Sequence, residues 1–441
     1  MTRQSPLLLL KVLLKTGLLL FAGLAVHADE TFPAPPELQP DIDFWVSIFT
    51  RYPSDQGVLH DNRDLAVVYA RLEMPKSLSA SARKKRINAR RDEIRTVLRS
   101  LASGKRDNLS AEEARILALW PDDVSNATLA AAIEQIRYQG GLSDRFREGL
   151  VRSGQWRDYI EAEFRTLGIP PALVALPHVE SSFNPDARSH VGASGIWQFT
   201  RSTARRFMRV DHVLDERNDP FTATRGAGRL LAYNYSLTGN WPTAITAYNH
   251  GLGGIRRAMS QFGDTAYVNI LRKYKGRTFG FASRNFYVAF LAAREVDQDP
   301  DKYFPGLVRD LPIDFAVARL RDYVAAEDLS NSLGIEPTEL AKYNRALQPT
   351  IWQGSKYLPR DYELRVPVNR LAQPIDKLIA GIPADRWAKD QLPDLFHTIV
   401  RGDTLSQIAR EYGTSVSTLA ALNSLDSKNR IRAGQQLRLP A

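Results

Sequence analysis

Hydrophobic and polar positions change their pattern along the chain. An apolar run from Gly17 to Val26 follows Arg3, Lys11 and Lys15. It is shorter than the roughly 20 residues that a membrane-spanning helix needs. The small residues around Val26-His27-Ala28, followed by Asp29 and Glu30, complete the pattern of a secretory signal peptide over residues 1–28, with an uncleaved anchor as the alternative reading. Pro33, Pro35, Pro36 and Pro40 then predict an extended leader. Residues 29–150 read as a helical region. Leu65, Val68, Tyr69 and Leu72 share one face at helical spacing, and charged–apolar stretches follow at Arg95–Leu101 and Leu129–Arg137. No chemistry stands out there, so the region reads as a scaffold.

Residues 151–305 keep the helical pattern with denser punctuation. Pro170-Pro171 opens a helix that Asn184-Pro185 ends, with Pro177 inside it as a potential kink. Asp219-Pro220 starts another, and Gly251 with Gly253-Gly254 closes a third. After Pro312 two segments repeat one another. Gly334 to Asn344 and Gly413 to Asn423 share length and place Gly334/Gly413, Leu340/Leu419, Ala341/Ala420 and Asn344/Asn423 in step. Each copy runs on to a short strand, Leu364–Pro367 or Leu437–Pro440. Such a repeat predicts small modules, here over 320–368 and 396–440, with Asn369–Pro393 as linker plus one short helix.

Composition narrows this. A chain of 441 residues exceeds one core, which predicts two to four domains. The absence of Cys excludes disulfides, thiolate metal sites, a Cys nucleophile and lipid attachment through Cys. The net charge of +10 suits an anionic polymer. The run Arg83-Lys84-Lys85-Arg86 has no aromatic partner module, so nucleic acid is not implied and a solvated helix face is expected.

The chemistry-bearing stretch is Ala175 to Pro185. Leu173, Leu176 and Glu180 sit at i, i+3 and i+7, which sets a carboxyl group in line with two leucines. An apolar wall disfavours the charged form, and a carboxylic acid still protonated near neutral pH can protonate a leaving oxygen. A surface Glu near a helix end fits the same spacing. Downstream, Gly192 to Phe199 combines small residues, Gly195 among them, with Trp197 as a stacking face and Gln198 as donor and acceptor. Tyr248 and Asn249 follow at a helix end stopped by Gly251; a core tyrosine with an Asn cap reads equally well.

Glu180-Ser181, then Gly192-Ala-Ser-Gly195-Ile-Trp-Gln198, then Ala247-Tyr248-Asn249, in that order, resemble the soluble lytic transglycosylase catalytic domain, of goose-lysozyme-like fold. The match covers roughly residues 156 to 300, and the arrangement is similar to the membrane-bound D type, in which LysM repeats follow. Thr398 to Arg410, a second helix to Asn423 and a final strand resemble LysM, a βααβ module that binds N-acetylglucosamine polymers; the copy at 320–368 lacks the Gly402-Asp403-Thr404 turn and resembles a degenerate LysM.

The resemblance implies a mainly α protein with a lysozyme-like α-helical catalytic domain, cutting peptidoglycan between N-acetylmuramic acid and N-acetylglucosamine with a 1,6-anhydromuramic product. It implies Glu180 as the single acid/base, Ser181 helping to hold it, Gln198 lining the glycan groove and Tyr248 and Asn249 beside the acid, Tyr248 as its hydrogen-bond partner. Tyr287 falls on a further active-site tyrosine. No cofactor or metal is implied. The partner is peptidoglycan glycan, and the location the periplasm or cell envelope with peripheral or outer-membrane association. The D type is commonly lipid-anchored, and here no Cys is present to carry a lipid. Three alternatives stay open. A hydrolytic lysozyme would need a second carboxylate, from Asp186, Asp211, Asp215, Glu216 or Asp219. A wall-binding protein would rely on LysM alone. A metal hydrolase would use His178, His190 and His212, whose spacing matches no ligand motif.

Overall fold

The computed structural model describes residues 31–262, 267–425 and 430–440, so the expected signal peptide lies outside the described residues. Among the described residues no helix is long and apolar enough to cross a membrane.

The leader and the first helix, Gln39–Thr50, belong to the main core. Phe32, Ile42, Ile48 and Phe49 pack in one cluster with Phe146, Leu173, Trp197 and Val296. Phe49 stacks on Phe146 with ring centroids 4.7 Å apart. The next stretch departs from the helical expectation. Gln56–Asp61 is the central strand of an antiparallel sheet, flanked by Val68–Glu73 and Ile136–Gly140. Ala70 and Leu72 are half-buried while Arg71 and Glu73 between and beyond them are exposed, the period of two that a half-covered strand shows, and Tyr69 is buried where the register shifts between the Leu59–Ala70 and His60–Val68 pairs. Leu65, Val68, Tyr69 and Leu72 fit helical spacing by chance; pairing with Gln56–Asp61 decides the conformation. The helix Ala80–Ala102, capped by Ser79, covers this sheet through Ile94, Leu98 and Leu101. Lys84, Lys85 and Arg86 stand exposed on it.

The helix Phe281–Gln298, buried from Ser283 to Ala293, packs against Gln39–Thr50, Leu176–Ser181 and Trp241–His250, while Pro220–Thr238 packs against Arg157–Thr166 and Trp241–His250. Pro177 does not kink one long helix. A 3-10 turn, Pro171–Ala175, passes into the short α-helix Leu176–Ser181, with Pro177 in its first turn where no N–H is needed. Asp219 caps Pro220–Thr238 and Gly251 ends Trp241–His250, but Gly253 and Gly254 lie inside the following helix, Leu252–Phe262.

Two βααβ units complete the chain. Phe315–Arg319 pairs antiparallel with Glu363–Pro367 around the helices Ala326–Leu333 and Pro337–Tyr343. Leu395–Thr398 pairs with Gln436–Leu439 around Leu405–Glu411 and Val416–Leu422. One asparagine clips each unit in the same way. Asn344 donates to Leu340 O and Arg365 O and accepts from Arg365 N; Asn423 donates to Leu419 O and Arg438 O and accepts from Arg438 N. The stretch between the units is no free linker. Ile375, Ile379, Ile382 and Trp387 join the core of the first unit, and Trp387–Ala388 pairs with Tyr323–Val324.

Candidate active site

Glu180 occupies the last turn of Leu176–Ser181. Leu173 and Leu176 beneath it are fully buried, whereas Glu180 itself is half-buried. Burial pushes its carboxyl up to about 8, and no other charge contributes to the rise. No described residue donates a hydrogen bond to it. Its position is therefore imposed through the backbone. Ser182 and Phe183 take left-handed conformations (φ 51° and 53°), which turn the chain away directly after the acid. Arg152 donates to Ser182 O at 2.8 Å, and Gly149 packs so close to that carbonyl that an added Cβ would lie 2.9 Å from it.

Beneath the helix lies a buried polar cluster that the motifs did not reveal. His178, fully buried, bonds through Nε2 to Asp297 at 3.1 Å. Its ring stacks on Phe146 and meets Phe183 edge-on. Asp297 is also held by Arg157 at 2.5 Å and Arg309 at 3.0 Å. Burial alone would raise the Asp297 carboxyl, but the His178 bond and the two guanidinium charges outweigh it and hold the group below the usual carboxylate range. Burial lowers His178 against the opposing pull of the Asp297 carboxylate. No local signal marks Asp297, which is 119 residues from His178 in sequence.

The loop Gly192–Phe199 forms the next wall, and several expected roles change there. Ser181 does not hold the Glu180 carboxyl; its hydroxyl donates to Ile196 O at 2.8 Å and ties the loop to the helix. Trp197 offers no stacking face. It is fully buried, its Nε1 donating to Thr224 and its ring against Phe164. Gly195 (φ 77°) lets the loop approach protein rather than ligand: a Cβ there would lie 1.9 Å from Arg217 O. Gln198, itself at φ 47°, donates to Ala187 O and Gly195 O, so its amide shapes the loop while the residue stays half-exposed. Arg217 locks the outer side, bidentate to Asp215 and donating to Gly192 O and Phe199 O.

Tyr248 sits close enough for the Glu180 charge to raise its phenol further, after burial has already done so. It does not bond to Glu180; its hydroxyl donates to Trp197 O at 2.8 Å and spans helix to loop. Asn249 is exposed and accepts from Ser283 at 3.3 Å. Tyr287 is not on the open face. It is fully buried, donates to Pro33 O at 3.0 Å and packs against Tyr267, so it ties the leader into the core.

The other acids are engaged elsewhere. Asp186 pairs with Arg345, Asp211 with Arg209, and Asp215 with Arg217. Glu216 accepts from Arg209 N, and Asp219 caps a helix and binds Arg365. His178, His190 and His212 do not converge, and among the described residues no acid–histidine group could hold a metal. Glu180 lines neither the cavity of about 810 Å³ beside Trp241 nor that of about 510 Å³ beside Arg201.

The chain belongs to the transglycosylase SLT family, whose domain matches residues 158–271, and a LysM domain matches residues 397–440. It is 25% identical over 305 residues to the membrane-bound lytic murein transglycosylase D of Escherichia coli (strain K12), covering 66% of this chain and 64% of that protein. It thus spans just under two thirds of that relative. Over 174 residues it is 30% identical to a protein of Alteromonas sp. (strain M-1) named for tributyltin chloride resistance, covering 38% of this chain and 82% of that one. The solved 70 kDa soluble lytic transglycosylase of Escherichia coli aligns with 51% of this chain and 45% of that chain at 18% identity and a TM-score of 0.28.

Proposed function

We propose that this chain is a peptidoglycan lytic transglycosylase acting in the cell envelope. It cleaves the β-1,4 bond between N-acetylmuramic acid and N-acetylglucosamine and leaves a 1,6-anhydromuramic end. The carrying observation is the lone acid: Glu180 is kept protonated by burial, with no second carboxylate acting on it. Protonated Glu180 gives its proton to the glycosidic oxygen as the bond to C1 breaks. The muramic C6 hydroxyl closes on C1, and its proton passes to the Glu180 carboxylate, which restores the acid. No water is consumed, and intramolecular attack gains from proximity. Ser181, Gln198 and Tyr248 act on this reading by fixing the loop that faces the acid, and Asn249 stands exposed at the same end.

The LysM unit at 396–440 holds the enzyme on glycan. The unit at 320–368 is a degenerate relative, supported by the shared βααβ order and the shared asparagine clip. Residues 1–28 direct export, residues 29–150 form a mixed rather than all-helical support, and 151–305 carry the reaction. Digestion of purified sacculi in ¹⁸O-labelled water tests the reaction. The expected muropeptides are lighter by one water than hydrolysis products and carry no label; labelled reducing ends would make the protein a lysozyme.

A further inference from the structure

Three parts of the molecule meet around one cleft of about 510 Å³. The segment that leaves the Glu180 helix contributes Arg188, and the short helix after the Gly192–Phe199 loop contributes Arg201. The first βααβ unit adds Arg345 and Trp352, and the LysM unit closes the cleft with Ser424. The volume lies within the range of small-ligand sites.

The charges lining it do not balance. Arg188 is exposed, and its side chain makes no ion pair or hydrogen bond among the described residues. Arg201 is 4.0 Å from Asp215, but that carboxylate is already held at 2.8 and 2.7 Å by Arg217. Arg201 Nη1 is buried without a hydrogen-bond partner. Arg345 reaches Asp186 at 2.7 Å, and that acid is 75% exposed, so the pair exchanges easily with solvent or ligand. A half-buried guanidinium short of a partner raises the energy of the empty cleft, and an incoming anion relieves it. Guanidinium forks match carboxylates in geometry. The half-buried Trp352 adds an apolar wall for the body of the ligand.

We propose that this cleft binds a carboxylate-bearing portion of the wall polymer, with Arg188 and Arg201 receiving the carboxylate. This rests on the lytic reading above for the identity of the polymer. Two sources share the chemistry: the acidic peptide stem, and the lactyl group of a muramic acid stripped of its peptide.

The test uses the full chain carrying Glu180→Gln, titrated by calorimetry with three ligands. These are an N-acetylmuramyl tripeptide, the peptide-free N-acetylglucosaminyl–N-acetylmuramic acid disaccharide, and uncharged chitotriose. Adding Arg188→Gln and Arg201→Gln should weaken at least one carboxylate ligand about 10-fold, as loss of charge-assisted hydrogen bonds does, and leave chitotriose unchanged. The ligand affected names the source. Arg188→Glu, at an exposed position with no protein partner to lose, should reproduce the effect without a risk to folding. Unchanged or absent binding of both carboxylate ligands overturns the proposal, as does an equal loss for chitotriose, which would make the cleft a neutral glycan groove. Cleavage is scored separately with the wild type. Sacculi left uncut would sink the lytic reading, while the carboxylate contrast in the Glu180→Gln background would stand or fall by itself.

Discussion

Glu180 combines a raised pKa with the absence of any side chain holding its carboxyl, and both follow from how the helix end is built. A carboxyl freed from hydrogen bonds can move between leaving oxygen and attacking hydroxyl. Glu180→Gln should lower cleavage of sacculi by about 10²- to 10⁴-fold, the usual range for loss of a general acid, with pull-down on sacculi unchanged. The wild-type kcat/KM should hold on the acid side and fall as pH rises through about 8, where the acid loses its proton. Stability follows the same group. Between the ordinary value of 4.5 and about 8 the folded chain keeps a proton that the unfolded chain releases. This contribution is therefore fully present below about pH 4.5 and is lost as pH rises through about 8. Gln loses no proton, so Glu180→Gln should melt several degrees above wild type at pH 8 and together with it at pH 4. Equal melting shifts at both pH values would show that the carboxyl is not desolvated.

At the scale of elements, short helices and loops are held by polar side chains that reach across the fold. Ser181 and Tyr248 both bond to carbonyls of the Gly192–Phe199 loop, and Arg217 binds its two ends, so the wall facing the acid is fixed by its backbone. The βααβ units use the same device in Asn344 and Asn423. Asn344 is fully buried and Asn423 partly open. Asn344→Ala should destabilise the 315–367 unit by about 1–3 kcal/mol, because it strands a buried N–H and carbonyl of Arg365. Asn423→Ala should cost the LysM unit less, since water reaches the vacated groups. Hydrogen exchange along Glu363–Pro367 and Gln436–Leu439 reads the two separately; equal loss of protection would remove burial as the cause.

For the molecule as a whole, the C-terminal units are docked rather than strung out. Arg365 meets Asp219 with both side chains buried, and Leu214 bridges to Leu347. Asp394 gathers Lys356, His212 and Arg438, one from each of the three parts. Arg438 donates to His212 Nδ1 at 2.8 Å, and His212 Nε2 lies 3.2 Å from an Asp394 carboxylate oxygen. A deletion should start after Asp394, because Lys356 is nearly fully buried and relies on that acid and on Leu392 O and Pro393 O. Removing 395–441 should weaken pull-down on sacculi and reduce activity on sacculi more than on short soluble glycans, because tethering raises local concentration without adding a catalytic contact. Equal losses on both substrates would show instead that docking of the unit supports the catalytic body.

The residues themselves determined the outline. The apolar run, the Glu180 motif, the helix start at Asp219, the helix stop at Gly251 and the asparagine-ended repeat are all local patterns. Their physical causes act within a turn or two of helix, so they are visible along the chain. What only the tertiary structure decided depends on distant partners. Val68–Glu73 is a strand because Gln56–Asp61 lies beside it, although its apolar spacing also suits a helix. Trp197 and Tyr287 are core residues because Thr224 and Pro33 meet them from other segments; an aromatic beside a catalytic motif looks the same in sequence whether it faces a sugar or a helix. Asp297 reaches the Glu180 helix across 119 residues, and Arg188 and Arg201 share a cleft with the two C-terminal modules only because these fold back on the helical body. Such contacts carry no local signature, since their energy comes from burial that chain closure alone creates.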